Sequence, residues 1–140
     1  MKTLKISSIM VAVAFVLGAC GGSGSGSPSP TPSTRPSSPA AITIVSPRNG
    51  QIIRGSTVHV RFSLKNARIV KPTSTHIVPT QGHIHLLLDG RIYSMNYGFT
   101  QPVISGVKPG NHLLQLQFVA SDHLPFNPPV ISAVTFQVKR

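Results

Sequence analysis

Residues 57–64 read Thr-Val-His-Val-Arg-Phe-Ser-Leu, and this stretch is the clearest indication of the fold class. Apolar and polar residues alternate along it, so every second residue from Val58 onward lies on one face of an extended strand. No window of the chain combines a 3.6-residue apolar repeat with helix caps. On the same grounds, strands are predicted at 42–45, 57–64, 83–89, 91–95, 103–107, 112–120 and 130–138.

Turn-forming residues separate these strands. Pro47-Arg48-Asn49-Gly50 and Pro109-Gly110-Asn111 are typical turn sequences, and Asp89-Gly90 is a pair that closes two-residue hairpins. Six or seven short strands in about 100 residues predict an all-β fold, a single antiparallel immunoglobulin-like β-sandwich. The chain lacks the Cys–Trp–Cys pattern of antibody domains, and a small closed barrel is the alternative. The polar segment 66–82 is expected to be an exposed loop.

The N-terminal region carries the features of an export signal. Two lysines precede an apolar run over 9–19, which is too short to be a stable membrane-spanning helix. A glycine and an alanine then come directly before Cys20, the only cysteine. The pattern resembles a bacterial lipoprotein signal peptide over 1–19, which implies that Cys20 becomes the lipidated, palmitate-bearing N-terminus. The alternative is an ordinary secretory signal with an incidental cysteine.

Residues 20–40 are predicted to be a disordered linker between this anchor and the domain. They are almost wholly Gly, Ser, Pro and Thr, a composition that cannot bury enough apolar surface to offset the entropy of ordering. Folding is therefore assigned to 41–140, which is long enough for one core. The expected protein is exported and lipid-anchored to the bacterial cell membrane or outer membrane, and it faces the periplasm or the exterior.

The charge and the cysteine count exclude several classes of function. Thirteen Lys and Arg residues stand against two acids, giving a net charge of +11. Such a balance favours anionic envelope polymers, whereas nucleic-acid binding is disfavoured because the basic residues form no run and no aromatic stripe. A lone cysteine committed to lipidation leaves no disulfide and no Cys-ligated zinc. Without any Glu or a nucleophile elbow, the chain is not expected to be an enzyme.

The candidate chemistry lies in the histidines. His83 and His85 sit at i and i+2 of a predicted strand, so their rings point to one side about 7 Å apart. A third ligand from His112 or His123 would complete a metal site, and neutral imidazoles without thiolate suit Cu or Zn. Asp122 would either orient the His123 ring or cap the turn after Ala120. The alternative is that all these histidines are structural.

Four segments together resemble a known family. They are Ser46-Pro47-Arg48-Asn49-Gly50, Gly82-His83-Ile84-His85-Leu86-Leu87-Leu88-Asp89, Pro109-Gly110-Asn111-His112-Leu113-Leu114-Gln115-Leu116 and Asp122-His123-Leu124-Pro125-Phe126-Asn127-Pro128-Pro129-Val130. They are similar, in order and spacing over most of 42–138, to motifs of an uncharacterised bacterial family of secreted, histidine-rich immunoglobulin-like domains. That family has no assigned activity, so the resemblance implies the fold more than the function.

The chain departs from that family at three of its histidine positions, one of which lies where Tyr97-Gly98-Phe99 corresponds to a His-Phe-Gly segment of the family. Ile84 stands where the family has the middle histidine of a triple, and Phe126 stands where it has a later one. The family histidines that survive are His83, His85, His112 and His123. The resulting hypothesis is a non-catalytic, lipid-anchored envelope module that binds Cu or Zn through surface histidines. The alternative is a structural or adhesive domain that binds a protein or an anionic envelope polymer.

Overall fold

The computed structural model describes residues 34–72 and 76–140, and within them all regular structure is extended. The predictions of a signal peptide over 1–19 and of lipidation at Cys20 concern residues outside these ranges. No helix in the described part of the chain is long and apolar enough to cross a membrane. The strands are β1 (Ala41–Ser46), β2 (Gln51–Arg54), β3 (Val58–His59), β4 (Arg61–Lys65), β5 (Arg68–Ile69), β6 (Gln81–Leu88), β7 (Arg91–Asn96), β8 (Val103–Ile104), β9 (Gly110–Val119) and β10 (Pro125–Lys139).

The strands form an immunoglobulin-like sandwich, which confirms the predicted fold class. The larger sheet has the order β2-β10-β9-β6, and β5 and β7 both pair with β6. Within the described ranges, the remaining strand pairs are β1–β4 and β3–β8. The sandwich is antiparallel as predicted except at two places, where β2 pairs with β10 and β5 pairs with β6 in parallel.

The core is built by the alternation that the sequence predicts. Val58, Val60 and Phe62 are buried, although Val60 divides the predicted strand into β3 and β4. The division arises because β3 pairs with β8, whereas β4 pairs with β1. The buried cluster comprises Ile42, Ile44, Val58, Val60, Phe62, Ile84, Leu86, Ile104, Val107, Leu114, Leu116, Phe118, Ala120, Phe126, Phe136 and Val138.

Local turn chemistry also follows the sequence. Asp89 and Gly90 have φ values of 52° and 79° between the paired residues Leu88 and Arg91, as a tight two-residue hairpin requires. Along β10, the pairing with β9 jumps from Pro125 to Val130, since the prolines between them donate no ladder hydrogen bonds. The segment 66–82 is not loop throughout, because it contains β5 and the start of β6.

The folded unit begins before residue 41, so part of the predicted linker belongs to the domain. The backbone N–H of Asn127 donates a hydrogen bond to the carbonyl oxygen of Pro36 at 3.0 Å. Arg35 donates to the carbonyl oxygens of Leu124 and Pro125, each at 2.9 Å. These contacts give residues 35 and 36 a fixed place beside the start of β10, which their Ser- and Pro-rich surroundings do not indicate.

Candidate metal centre

Strand β6 positions the first two histidines, and Gly82 allows it to approach β9 closely. A Cβ atom built on Gly82 would lie 2.1 Å from the carbonyl oxygen of Val119 and 2.9 Å from the Phe118 ring. Only glycine fits this contact without moving the backbone of β9. The next residue, His83, is the register partner of Val119, so its ring stands over the end of β9.

His83 and His85 share one side of β6, as predicted, but they are not surface residues. The two residues are 0% and 6% exposed, respectively, while Ile84 and Leu86 fill the sandwich core from the other side. The ring of Tyr97 packs against that of His83, with the centroids 4.9 Å apart. Both sides of β6 are therefore covered, and the prediction of surface histidines is wrong for these two positions.

The third histidine comes from the loop that joins β9 to β10, residues 120–124, which we call the His123 loop. Val119 pairs with both His83 and Pro125, so this loop starts and ends beside His83. The backbone N–H of His123 donates to the carbonyl oxygen of Ala120 at 3.0 Å. His123 itself has a φ of 66°, a left-handed conformation that few residue types other than glycine adopt. This backbone geometry brings its ring to within 4.5 Å of the His83 ring, centroid to centroid.

The three rings bring their nitrogen atoms together, and we call them the histidine cluster. Nε2 of His83 lies 3.1 Å from Nε2 of His85 and 3.1 Å from Nδ1 of His123. One ligand atom from each of the three residues lies within 4.8 Å of the others. Two nitrogens bound to one tetrahedral ion at about 2.05 Å stand roughly 3.3 Å apart. The two short separations therefore match the edges of a metal coordination polyhedron.

Hydrogen bonding between the rings cannot account for both short contacts. Each nitrogen of a neutral imidazole carries either one proton or one lone pair in the ring plane. Nε2 of His83 can therefore form one good hydrogen bond, yet it has two nitrogen neighbours at 3.1 Å. A cation at the centre of the histidine cluster would accept a lone pair from all three nitrogens at once.

The buried rings of the cluster favour the neutral state that metal binding needs. Burial, followed by the nearby charges of His85 and His123, lowers the pKa of His83 to about 4. Burial and the charge of His123 also lower the pKa of His85. Among the described residues, Nδ1 of His83 is a buried polar atom without a hydrogen-bond partner. A metal-bound His83 would therefore lack the usual acceptor for its second ring nitrogen.

His112 does not join the cluster, which corrects one of the four predicted ligands. It lies seven positions from Val119 along β9, about 24 Å at the usual rise of a strand. Its Nδ1 donates to Oδ2 of Asp89 and its Nε2 donates to the carbonyl oxygen of Lys108, both at 2.8 Å. Both ring nitrogens face acceptors, so neither offers a lone pair to a metal.

Asp122 stabilises the His123 loop through a hydrogen bond and an ion pair. Oδ1 of Asp122 accepts from the backbone N–H of Leu124 at 3.2 Å, which is the turn-capping role considered for it. The same carboxylate forms an ion pair with Arg35. The described contacts give Asp122 no hydrogen bond to His123, so the predicted orienting role is not seen.

Sequence reasoning missed three residues around the cluster: Arg35, Met95 and Tyr97. Arg35 stands alone in a segment rich in Ser, Thr and Pro, and an isolated charge there is the one signal that could have singled it out. Met95 is the last residue but one of β7, and Tyr97 directly follows that strand. The register of β7 against β6 contains an irregularity between Leu86 and Leu87. Their place beside the histidines follows from that register, which no local pattern reveals.

No family model and no curated protein matches the chain, so the resemblance to the histidine-rich family stays a prediction. Among solved structures, the chain is similar to the fibronectin(III)-like modules of Clostridium thermocellum CbhA, at 14% identity over 70% of this chain and 95% of that chain, with a TM-score of 0.48. It is also similar to the PKD domain of human KIAA0319, at 17% identity over 87% of this chain and 92% of that chain, with a TM-score of 0.43.

Proposed function

We propose that this protein is a lipid-anchored module of the bacterial cell envelope that binds a transition metal, Cu or Zn, through His83, His85 and His123. The observation that carries the proposal is the convergence of three ring nitrogens around Nε2 of His83. Three neutral nitrogens without a thiolate or carboxylate suit these two metals. The anchor is the lipidated Cys20 expected from the sequence.

The proposed role is binding rather than catalysis. A metal hydrolase needs a general base near the metal, and the chain has only two acids. Asp89 pairs with His112, and Asp122 pairs with Arg35. Both carboxylates are therefore engaged elsewhere, which favours a module that holds or hands over a metal.

The test is a titration of the full chain with Zn(II) and with Cu(II), in detergent and in a Cys20→Ser background that removes the competing thiol. We expect one ion per chain with a submicromolar Kd, corresponding to about −8 kcal/mol or better. His83→Ala, His85→Ala and His123→Ala should each weaken binding by roughly 100-fold, about 2.7 kcal/mol.

Two other histidines provide matched controls for this titration. His59 is exposed on β3, and His112 is engaged with Asp89 and Lys108. His59→Ala and His112→Ala should leave the affinity unchanged. Binding that is weak, or that falls equally in the controls and the cluster variants, would leave the histidines with a structural role only.

The charge of the protein supports a second candidate function, adhesion to an anionic envelope polymer. Thirteen Lys and Arg residues face only two acids, and one of those acids is already neutralised by Arg35. A polymer-binding module would be retained on an immobilised polyanion and released as salt screens the attraction. This retention should be the same in wild type and His83→Ala, which separates adhesion from metal binding.

A further inference from the structure

A thioether lies next to the histidine cluster on the neighbouring strand. Met95 of β7 is the register partner of His85 on β6. Residues directly opposite one another in an antiparallel pair project from the same side of the sheet, with Cβ atoms about 4.5–5.5 Å apart. Met95 is 42% exposed, so its side chain has room to turn about its three rotatable bonds.

Tyr97 links the sulfur of Met95 to the same side of the cluster. Its ring packs on the ring of His83 at a centroid distance of 4.9 Å. Its hydroxyl donates to Sδ of Met95 at 3.4 Å. The tyrosine therefore contacts both a cluster histidine and the thioether, and it holds the sulfur on the side of β6 where the three nitrogens meet.

Three histidine nitrogens leave a four-coordinate site one ligand short. We propose that Met95 supplies this fourth ligand, and that the site therefore holds copper, as Cu(I) as well as Cu(II). This inference rests on the proposed function and specifies its metal. A thioether is a soft, uncharged ligand that selects Cu(I) among the metals that imidazole binds, whereas it adds little for Zn(II). The nearest acid in sequence to His123, Asp122, is paired with Arg35, so the donor set stays uncharged.

The experiment compares wild type with Met95→Leu, which removes the sulfur but keeps an apolar side chain of similar volume. The full chain in the Cys20→Ser background is titrated anaerobically with Cu(I) against the chromophoric competitor bicinchoninate, and separately with Zn(II). We expect Met95→Leu to weaken Cu(I) binding by about tenfold or more, about 1.4 kcal/mol, and to leave the Zn(II) affinity within roughly twofold. X-ray absorption at the copper edge should show a sulfur neighbour in wild type that is missing in the variant.

Each other result overturns the inference in a recognisable way. An unchanged Cu(I) affinity would show that Met95 is not a ligand, while the His83→Ala titration would still report on the proposed function. Equal losses for Cu(I) and Zn(II) would assign Met95 a packing role only. If wild type binds neither metal, the proposed function itself fails and takes this inference with it.

Discussion

Arg35 and Asp122 are 87 residues apart in the chain, yet their side chains form a two-point ion pair. Nη1 of Arg35 contacts Oδ2 of Asp122, and Nη2 lies 3.1 Å from Oδ1. The hydrogen bond from Arg35 is the main cause that lowers the pKa of the Asp122 carboxyl. The Arg35 side chain also donates to the carbonyl oxygens of Leu124 and Pro125. Arg35, which precedes the first strand, therefore holds the residues on either side of His123 in place.

Arg35→Ala should weaken metal binding although the described hydrogen bonds of Arg35 go to Asp122, Leu124 and Pro125 rather than to the cluster. Without the guanidinium, the His123 loop loses its contacts at Asp122, Leu124 and Pro125, and His123 must be ordered when the metal binds. We expect a loss of affinity of roughly 10-fold and a fall in the free energy of unfolding of about 1–3 kcal/mol. Metal titration and urea denaturation of the full chain measure the two effects.

The matched control for this prediction is Arg48→Ala, which removes an exposed arginine far along the chain from the His123 loop. It should change neither quantity. Arg35→Lys keeps the charge but loses the planar two-point contact, so it should recover only part of the affinity. A wild-type Zn(II) affinity in Arg35→Ala would contradict the positioning role of Arg35.

Gly82→Ala should destabilise the protein strongly because the added Cβ meets backbone rather than a flexible side chain. The atom would lie 2.1 Å from the carbonyl oxygen of Val119, so β6 and β9 must separate. We expect a loss of about 3 kcal/mol, at the upper end for overpacking, measured by urea denaturation. Gly98→Ala is the control, since a Cβ there has nothing within 4 Å. Equal stability of the two variants would show that β9 can move away from β6 without a loss in the free energy of unfolding.

The periodicity of the sequence predicts two of the three histidines of the cluster. A strand has a side-chain period of two, so a His-x-His sequence on β6 places His83 and His85 on one side whatever the rest of the fold does. The same local rule predicts that Ile84 and Leu86 enter the core, and both are buried. Information of this kind is contained within eight consecutive residues.

The identity of the third ligand and the burial of His83 and His85 depend on strand register, which is not a local property of the sequence. His112 and His123 are both close to β9 in sequence, one at each end of it. The pairing of His83 with Val119 selects His123 and puts His112 beside Asp89. The irregular register of β7 likewise brings Tyr97 over His83. His83, which the sequence predicts to lie on the surface, is therefore fully buried. Such choices are set by the packing of the whole sheet.

The Asp89–His112 pair should make stability depend on pH at the far end of β9. Partial burial lowers the pKa of His112, but hydrogen bonds to Asp89 and to the Lys108 carbonyl raise it by more, so the net shift is upward. A raised pKa contributes stability at pH below the ordinary value and loses it as pH rises through the folded pKa. His112→Gln should therefore cost more at about pH 5.5 than at about pH 8.5.

The size of this difference should be small, about 0.5 kcal/mol, because the Asp89 side chain is 49% exposed and water screens the pair. Urea denaturation at the two pH values measures it. Asp89→Asn removes the carboxylate partner of His112, so it should abolish the same pH dependence of stability. A constant cost of His112→Gln at both pH values would mean that His112 is neutral in the folded protein.

The metal-free protein should lose stability in weak acid because of His83. The pKa of His83 is lowered from 6.5 to about 4. Between these pH values His83 is therefore protonated in the unfolded chain but neutral in the folded chain. The free energy of unfolding should therefore fall as the pH drops from 6.5 towards 4, by about 3 kcal/mol in full. The lowered pKa of His85 acts in the same direction.

Urea denaturation in the presence of EDTA, at about pH 7.5 and about pH 4.5, measures this loss of stability. The loss should appear in wild type and in the exposed control His59→Gln, and it should be smaller in His83→Leu. If His83→Leu loses as much stability as wild type, His83 takes up its proton without unfolding, and the buried cluster tolerates a charge.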